Sequence, residues 1–291
     1  MITGAMTALI TPFDDGKIDA TALERLVESQ IAAGIHGLVP CGTSGEAATL
    51  SHDEHTEVVR LTVKAARGRV PIVAGTGSNS TAEAIQLTRE ARAAGADAAL
   101  VISPYYNKPT QEGIFQHYKA LAESGGLPII MYNIPGRTSS RIEVETLARL
   151  AAVPNIAGVK DATGSLENAL DIVRHCGPDF ALYSGEDALT LPIIAVGGHG
   201  VITAVANIAP REMADLSTVC LEGRLAEART AQLHVLPLIR ACFLETNPIP
   251  VKTALAMMGM CREEFRLPLT PMSEPHRTQL RRALEEHGLL R

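Results

Sequence analysis

The stretch Ile156-Ala157-Gly158-Val159-Lys160 is a short apolar run that ends on an amine, and Asp161-Ala162-Thr163-Gly164 follows it at once. A run of this length beside a turn reads as a buried strand. It is one of eight. The others cover 6–10, 37–40, 71–74, 98–102, 128–132, 180–183 and 200–204, spaced by roughly thirty residues. Between them, segments 20–33, 53–67, 81–94, 111–123, 144–151, 166–175 and 189–196 repeat their apolar residues at three and four, the helical period. Ser51-His52-Asp53-Glu54 has the form of a capping box, and Ser80 or Thr81 ahead of Glu83 marks another helix start.

Continuous apolar strands alternating with helices imply parallel strands covered by crossover helices. Eight such units suit a closed (β/α)8 TIM barrel of the α/β class. An open doubly wound sheet is the alternative, usually marked by a GxGxxG turn after its first strand. Gly75-Thr76-Gly77-Ser78-Asn79-Ser80 lacks the third glycine and follows the third run, so it reads as a turn and helix start. The barrel is expected over residues 1–222. Residues 223–291 read as a helical extension with helices at 225–244, 251–258 and 274–290, packed on the barrel or on a neighbouring subunit.

Composition narrows the function. The chain has 291 residues, 46% of them hydrophobic, and a net charge of −6, enough to bury a large core and no invitation to nucleic acid or an anionic membrane. Cys41, Cys176, Cys220, Cys242 and Cys261 have neither paired nor CxxC spacing, which favours a reducing, cytoplasmic location over disulfides or zinc. The N-terminus shows no signal-peptide pattern and the apolar runs are strand-sized, so no membrane span is expected.

Chemistry collects at the ends of the runs, where a barrel of this kind keeps its active site. The second run enters Cys41-Gly42-Thr43-Ser44-Gly45-Glu46, the fourth ends in Tyr105-Tyr106, and the fifth in Tyr132-Asn133-Ile134-Pro135-Gly136-Arg137. The seventh ends in Ser184-Gly185-Glu186 and the eighth near Ile202. A lone strand-end lysine ordinarily snorkels to water. Surrounded by hydroxyls, phenols and a guanidinium, Lys160 instead has what an imine-forming amine needs: desolvation to favour its neutral form, and proton shuttles. The chain has only six lysines, and Lys252 alone of the others sits in apolar company, on a late helix expected to lie away from the strand ends. The Gly-Thr-Ser turn can hold a carboxylate through backbone N–H groups and hydroxyls.

These motifs, over nearly the whole chain from Gly4 to Pro271, resemble the dihydrodipicolinate synthase family of the pyruvate-dependent class I aldolases. Gly42-Thr43-Ser44-Gly45-Glu46 looks like the family's turn for the pyruvate carboxylate, and Tyr132 with Lys160 is similar to its phenol and Schiff-base lysine. These features are shared with sugar-acid lyases; Arg137 is the finer mark, matching the binder of the second substrate's carboxylate. The resemblance implies condensation of pyruvate with L-aspartate 4-semialdehyde on the route to L-lysine. Lys160 would carry the imine, while Tyr132, Thr43 and Tyr106 (from a neighbouring subunit of a tetramer built from dimers) would relay protons. Gly185 and Ile202 would line the pocket, and no metal or organic cofactor is expected. A sibling aldolase or dehydratase acting on a sugar-derived 2-keto acid, or a non-catalytic ligand-binding barrel, are the alternatives.

His52 and His55 lie three apart on one helix, and Asn79 precedes Glu83 by four, so each pair can share a face. Spacing alone fits an exposed polar helix start or, with a third ligand, a metal pair. The resemblance implies a feedback site for L-lysine formed by His52, His55, Asn79, Glu83 and Tyr105 beside Ala47 and Ala48. Ala47 departs from inhibited relatives, which often carry serine there, and implies weaker inhibition.

Overall fold

The structure is a computed structural model, and it describes residues 1–290. Eight parallel strands form the barrel: β1 (Gly4–Ala8), β2 (Gly37–Val39), β3 (Val73–Gly75), β4 (Ala98–Ile102), β5 (Ile129–Asn133), β6 (Ile156–Asp161), β7 (Ala181–Ser184) and β8 (Gly200–Thr203). They are hydrogen-bonded in the order β2-β1-β8-β7-β6-β5-β4-β3. The seam between β2 and β3 closes through one parallel bridge, Leu38 to Ile72, with Gly75 N donating to the Pro40 carbonyl at 2.9 Å. The sheet is therefore closed, as expected.

Its interior is a separate small core. Met6, Val39, Val73, Leu100, Ile130, Tyr132, Tyr183 and Ile202 point inward. Alternate residues such as Ala5, Leu38, Ala99, Val101, Met131, Val159 and Leu182 point outward into a second, larger core beneath the helices. Burial on both faces explains why the strands read as unbroken apolar runs. In β6, Lys160 is the residue opposite Tyr132 on one side and Tyr183 on the other, so its side chain belongs to the inward set. Gly158 is required there, because a Cβ would sit 2.2 Å from the Ala181 carbonyl oxygen.

Eight helices alternate with these strands: α1 (Ala20–Ala32), α2 (His52–Ala66), α3 (Thr81–Ala93), α4 (Gln111–Ser124), α5 (Val144–Ala151), α6 (Leu166–Cys176), α7 (Thr190–Ala195) and α8 (Pro210–Leu221). The capping box at Ser51 and Glu54 is formed in full, and Ser80 caps α3. Asn79 is consequently outside the helix and shares no helical face with Glu83, which corrects the spacing argument. The eighth helix was not singled out from the sequence. Proline in its first turn is compatible with helix, and Met213, Leu216, Ser217 and Cys220 form its buried side.

Three further helices follow: α9 (Leu225–Ala241), α10 (Ile249–Met257) and α11 (Glu274–Glu286). α9 and α11 start where expected and end three and four residues earlier, while both ends of α10 lie within two residues of expectation, the ordinary scatter of helix ends. Leu238, Leu280 and Leu284 of α9 and α11 join the same core as the barrel helices. No described helix is long and apolar enough to cross a membrane.

Candidate active site

The strand ends of one rim surround a cavity of about 60 Å3 whose walls include Thr43, Ser44, Tyr132, Arg137, Lys160, Gly185 and Ile202. All seven were expected there. Lys160 is 6% exposed, and its Nζ lies over the Tyr132 ring, 4.3 Å from the centroid. Burial lowers its pKa from 10.5 to about 8, against the charges of Asp187 and Glu186, which favour the ammonium. Burial likewise holds the Tyr132 phenol above its usual value; the Arg137 charge and a hydrogen bond with Thr43 act the other way. A phenol that stays protonated can give and retake a proton, and Thr43 is placed to extend that relay.

The turn carrying Thr43 and Ser44 is fixed from several sides. Gly45 N donates to the Gly42 carbonyl at 3.1 Å, and Thr11 Oγ1 donates to the Gly45 carbonyl at 2.7 Å. Ser44 is buried, and its Oγ accepts a hydrogen bond from Asn247 Nδ2 at 3.0 Å. Cys41 and Glu46 flank the turn with φ of 56° and 52°. Arg137 lies on a single helical turn after β5, Pro135–Thr138, with one guanidinium nitrogen donating to the Asn247 carbonyl at 3.1 Å. Its remaining donors are available to a carboxylate entering the mouth of the cavity.

Lys252 does not lie away from the strand ends. It is fully buried, and its Nζ forms an ion pair with Glu46 Oε1 at 2.5 Å, immediately beside the Gly-Thr-Ser turn. Helix α10 runs back over the β2 end, a long-range approach that local sequence does not show. Asp187 and Asn247 also belong to the site and were not singled out. Asp187 is 2% exposed and burial pushes its carboxyl up to about 6; Oδ2 accepts from Ala204 N, while Oδ1 has no partner among the described residues. Its adjacency to Glu186 was the one available signal. Asn247 had none, because it comes from the extension.

Tyr106 does not line this cavity. It is 89% exposed with φ of 71°, in the loop after β4.

A second cavity of about 420 Å3 has Thr43, Tyr132 and Arg137 on one side and Ala47, Ala48, His52, His55, Glu83 and Tyr105 on the other. His52 Nε2 is 2.9 Å from Glu83 Oε1, and Ser78 also donates to Glu83. Ser78 and His52 hold the Glu83 carboxyl below its usual value. His55 is buried, donates from Nε2 to the Gly75 carbonyl at 2.7 Å, and has its pKa lowered by desolvation. The two histidines therefore serve different partners instead of converging on one ion: His52 stands on the exposed polar start of α2, whereas His55 is buried. Asn79 lies outside the lining but donates to the Tyr105 carbonyl at 3.2 Å.

Comparison with known proteins places the whole chain among relatives of one family. The chain is 52% identical over 290 residues to the 4-hydroxy-tetrahydrodipicolinate synthase of Syntrophus aciditrophicus, covering all of both chains. A crystal structure of the chloride-inhibited dihydrodipicolinate synthase of Acinetobacter baumannii complexed with pyruvate matches with TM-score 0.98 and 46% identity, over the full length of both. The Cyanidioschyzon merolae enzyme with lysine bound matches with TM-score 0.96 and 40% identity over 99% of each chain. A family model matches residues 1–287, and the chain belongs to the dihydrodipicolinate synthetase family.

Proposed function

We propose that this protein is a 4-hydroxy-tetrahydrodipicolinate synthase that condenses pyruvate with L-aspartate 4-semialdehyde through an imine on Lys160. The observation that carries this reading is the lowered pKa of a buried amine beside Tyr132 in a cavity rimmed by Thr43, Ser44 and Arg137. Neutral Nζ attacks the pyruvate ketone, and the carbinolamine loses water to give the imine. Loss of a methyl proton gives the enamine, whose carbon adds to the semialdehyde's aldehyde. The substrate's own amino group then displaces Nζ, closing the ring and freeing Lys160. Tyr132, Thr43 and a neighbouring subunit's Tyr106 relay the protons. Thr43 and Ser44 hold the pyruvate carboxylate, Arg137 the semialdehyde's, and Gly185 and Ile202 shape the wall. The imine is itself the electron sink, so the reaction requires no metal or organic cofactor.

L-lysine inhibits the enzyme from the second cavity. Glu83, held ionised by Ser78 and His52, meets an ammonium, and Tyr105 the carboxylate. Ala47 offers no hydroxyl there, which weakens the effect. The five unpaired thiols suit the cytoplasm, and a tetramer built from two dimers is the working assembly.

Pyruvate and borohydride, followed by peptide mass spectrometry, test the mechanism; a substrate panel tests the partner aldehyde. A reduced adduct on Lys160, with semialdehyde consumed faster than any sugar-derived keto acid is cleaved, is the expected result. Absence of an adduct on the folded protein would overturn it.

A further inference from the structure

Glu212, His234 and His287 come from three parts of the chain and meet away from both cavities. Glu212 is in the first turn of α8, His234 is on α9, and His287 caps the C-terminus of α11. One side-chain donor atom of each lies within 4.8 Å of the other two. His287 Nε2 is 2.5 Å from Glu212 Oε2, and the His287 side chain is only 6% exposed. The two imidazole rings are 4.7 Å apart, tilted by 33°.

A histidine–carboxylate pair would account for two of these groups. It leaves His234 unexplained: an exposed imidazole stacked against His287 with no protein hydrogen-bond partner among the described residues. Two imidazoles and a carboxylate are a donor set for a borderline first-row cation such as Zn2+. Tetrahedral zinc at about 2.0–2.1 Å from each ligand places the donors roughly 3.3 Å apart. Rotation of the exposed His234 side chain brings its imidazole in, and the 2.5 Å contact between His287 and Glu212 opens to that distance to admit the ion. The largely enclosed His287 side chain and the half-buried Glu212 already face one another and supply two of the three donors.

We infer that Glu212, His234 and His287 form a binding site for a zinc-class divalent cation, which clips the C-terminal helix to α8 and α9. Three protein ligands leave a fourth position for water. The end of α11 is otherwise held by apolar contacts of Leu280 and Leu284, so the ion adds a cross-link where the chain is close to its terminus. Bound only to the folded state, it raises stability by mass action.

The test is calorimetric titration of tag-free, chelator-treated full-length protein with ZnCl2, alongside His234→Gln and His287→Gln. One equivalent bound at micromolar or tighter affinity is expected, with the thermal midpoint raised by about 5 °C at a hundredfold excess over Kd. His234→Gln weakens binding at least about tenfold, the loss of one of three ligands, while its metal-free midpoint stays close to the wild-type value, because exposed His234 has no hydrogen bond to lose. Wild-type zinc binding weaker than micromolar, or uptake unchanged in both variants, would overturn the assignment.

Discussion

An amine with a pKa of about 8 is neutral in roughly one molecule in ten at pH 7, against fewer than about one in a thousand for an ordinary lysine. Desolvation is the main cause of that gain and the Arg137 charge adds to it, while the two carboxylates nearby act against it. Asp187 is the sharper probe. At neutral pH it is mostly ionised, with its own pKa raised only to about 6, and its charge favours the Lys160 ammonium. Asp187→Asn removes that charge, so the Lys160 pKa falls further. The rate of forming a borohydride-trappable pyruvate imine should rise with pH through a midpoint near 8 in the wild type. In the variant the midpoint lies lower, with faster trapping at pH 7. A midpoint that stays put or climbs would remove Asp187 from the control of Lys160. Sequence showed the Glu186-Asp187 pair but not its direction, because a turn residue's facing depends on the strand it leaves.

At the scale of elements, the link between α10 and the β2 turn does most to hold the site in shape. Lys252 donates to Glu46 and to the Glu264 carbonyl, and its ammonium lies 4.2 Å from the centre of the Phe13 ring. The other oxygen of Glu46 accepts from Arg266 N at 3.2 Å. Every polar atom of this buried pair thus has a partner, and removing one charge strands the other. Glu46→Gln should cost about 3–5 kcal/mol in urea unfolding. Pairing it with Lys252→Met should recover most of that loss, because the stranded charge is gone. Similar unfolding midpoints for wild type and Glu46→Gln would mean that water reaches Lys252 after all. Gly75 shows how close these elements come: a Cβ there would lie 2.2 Å from the Cys41 carbonyl oxygen, at the seam where the barrel closes.

The whole molecule leaves Tyr106 outside its own active cavity, 89% exposed at a positive φ, with Tyr105 beside it 38% exposed. Under the proposed function the Tyr106 phenol relays protons in a neighbouring subunit's cavity, and that proposal is open to test. Tyr106→Phe should lower kcat by about a hundredfold while leaving the fold intact. Specific activity should also fall on dilution, in step with dissociation seen by sedimentation. Activity independent of concentration across that transition would place the proton relay within one chain. The barrel was legible because burial on two faces writes eight apolar runs into the sequence, and helices between them keep their own period. Thr43, Tyr132, Arg137 and Lys160 were legible for a related reason: parallel strands bring their C-terminal ends to one rim, so chain position already implies proximity. The eighth helix, the Lys252–Glu46 pair, the reach of Asn247 into the site and the meeting of Glu212 with His234 and His287 carry no such signal. They arise where segments far apart in sequence pack together, and only the tertiary fold decides which side chains then share a space.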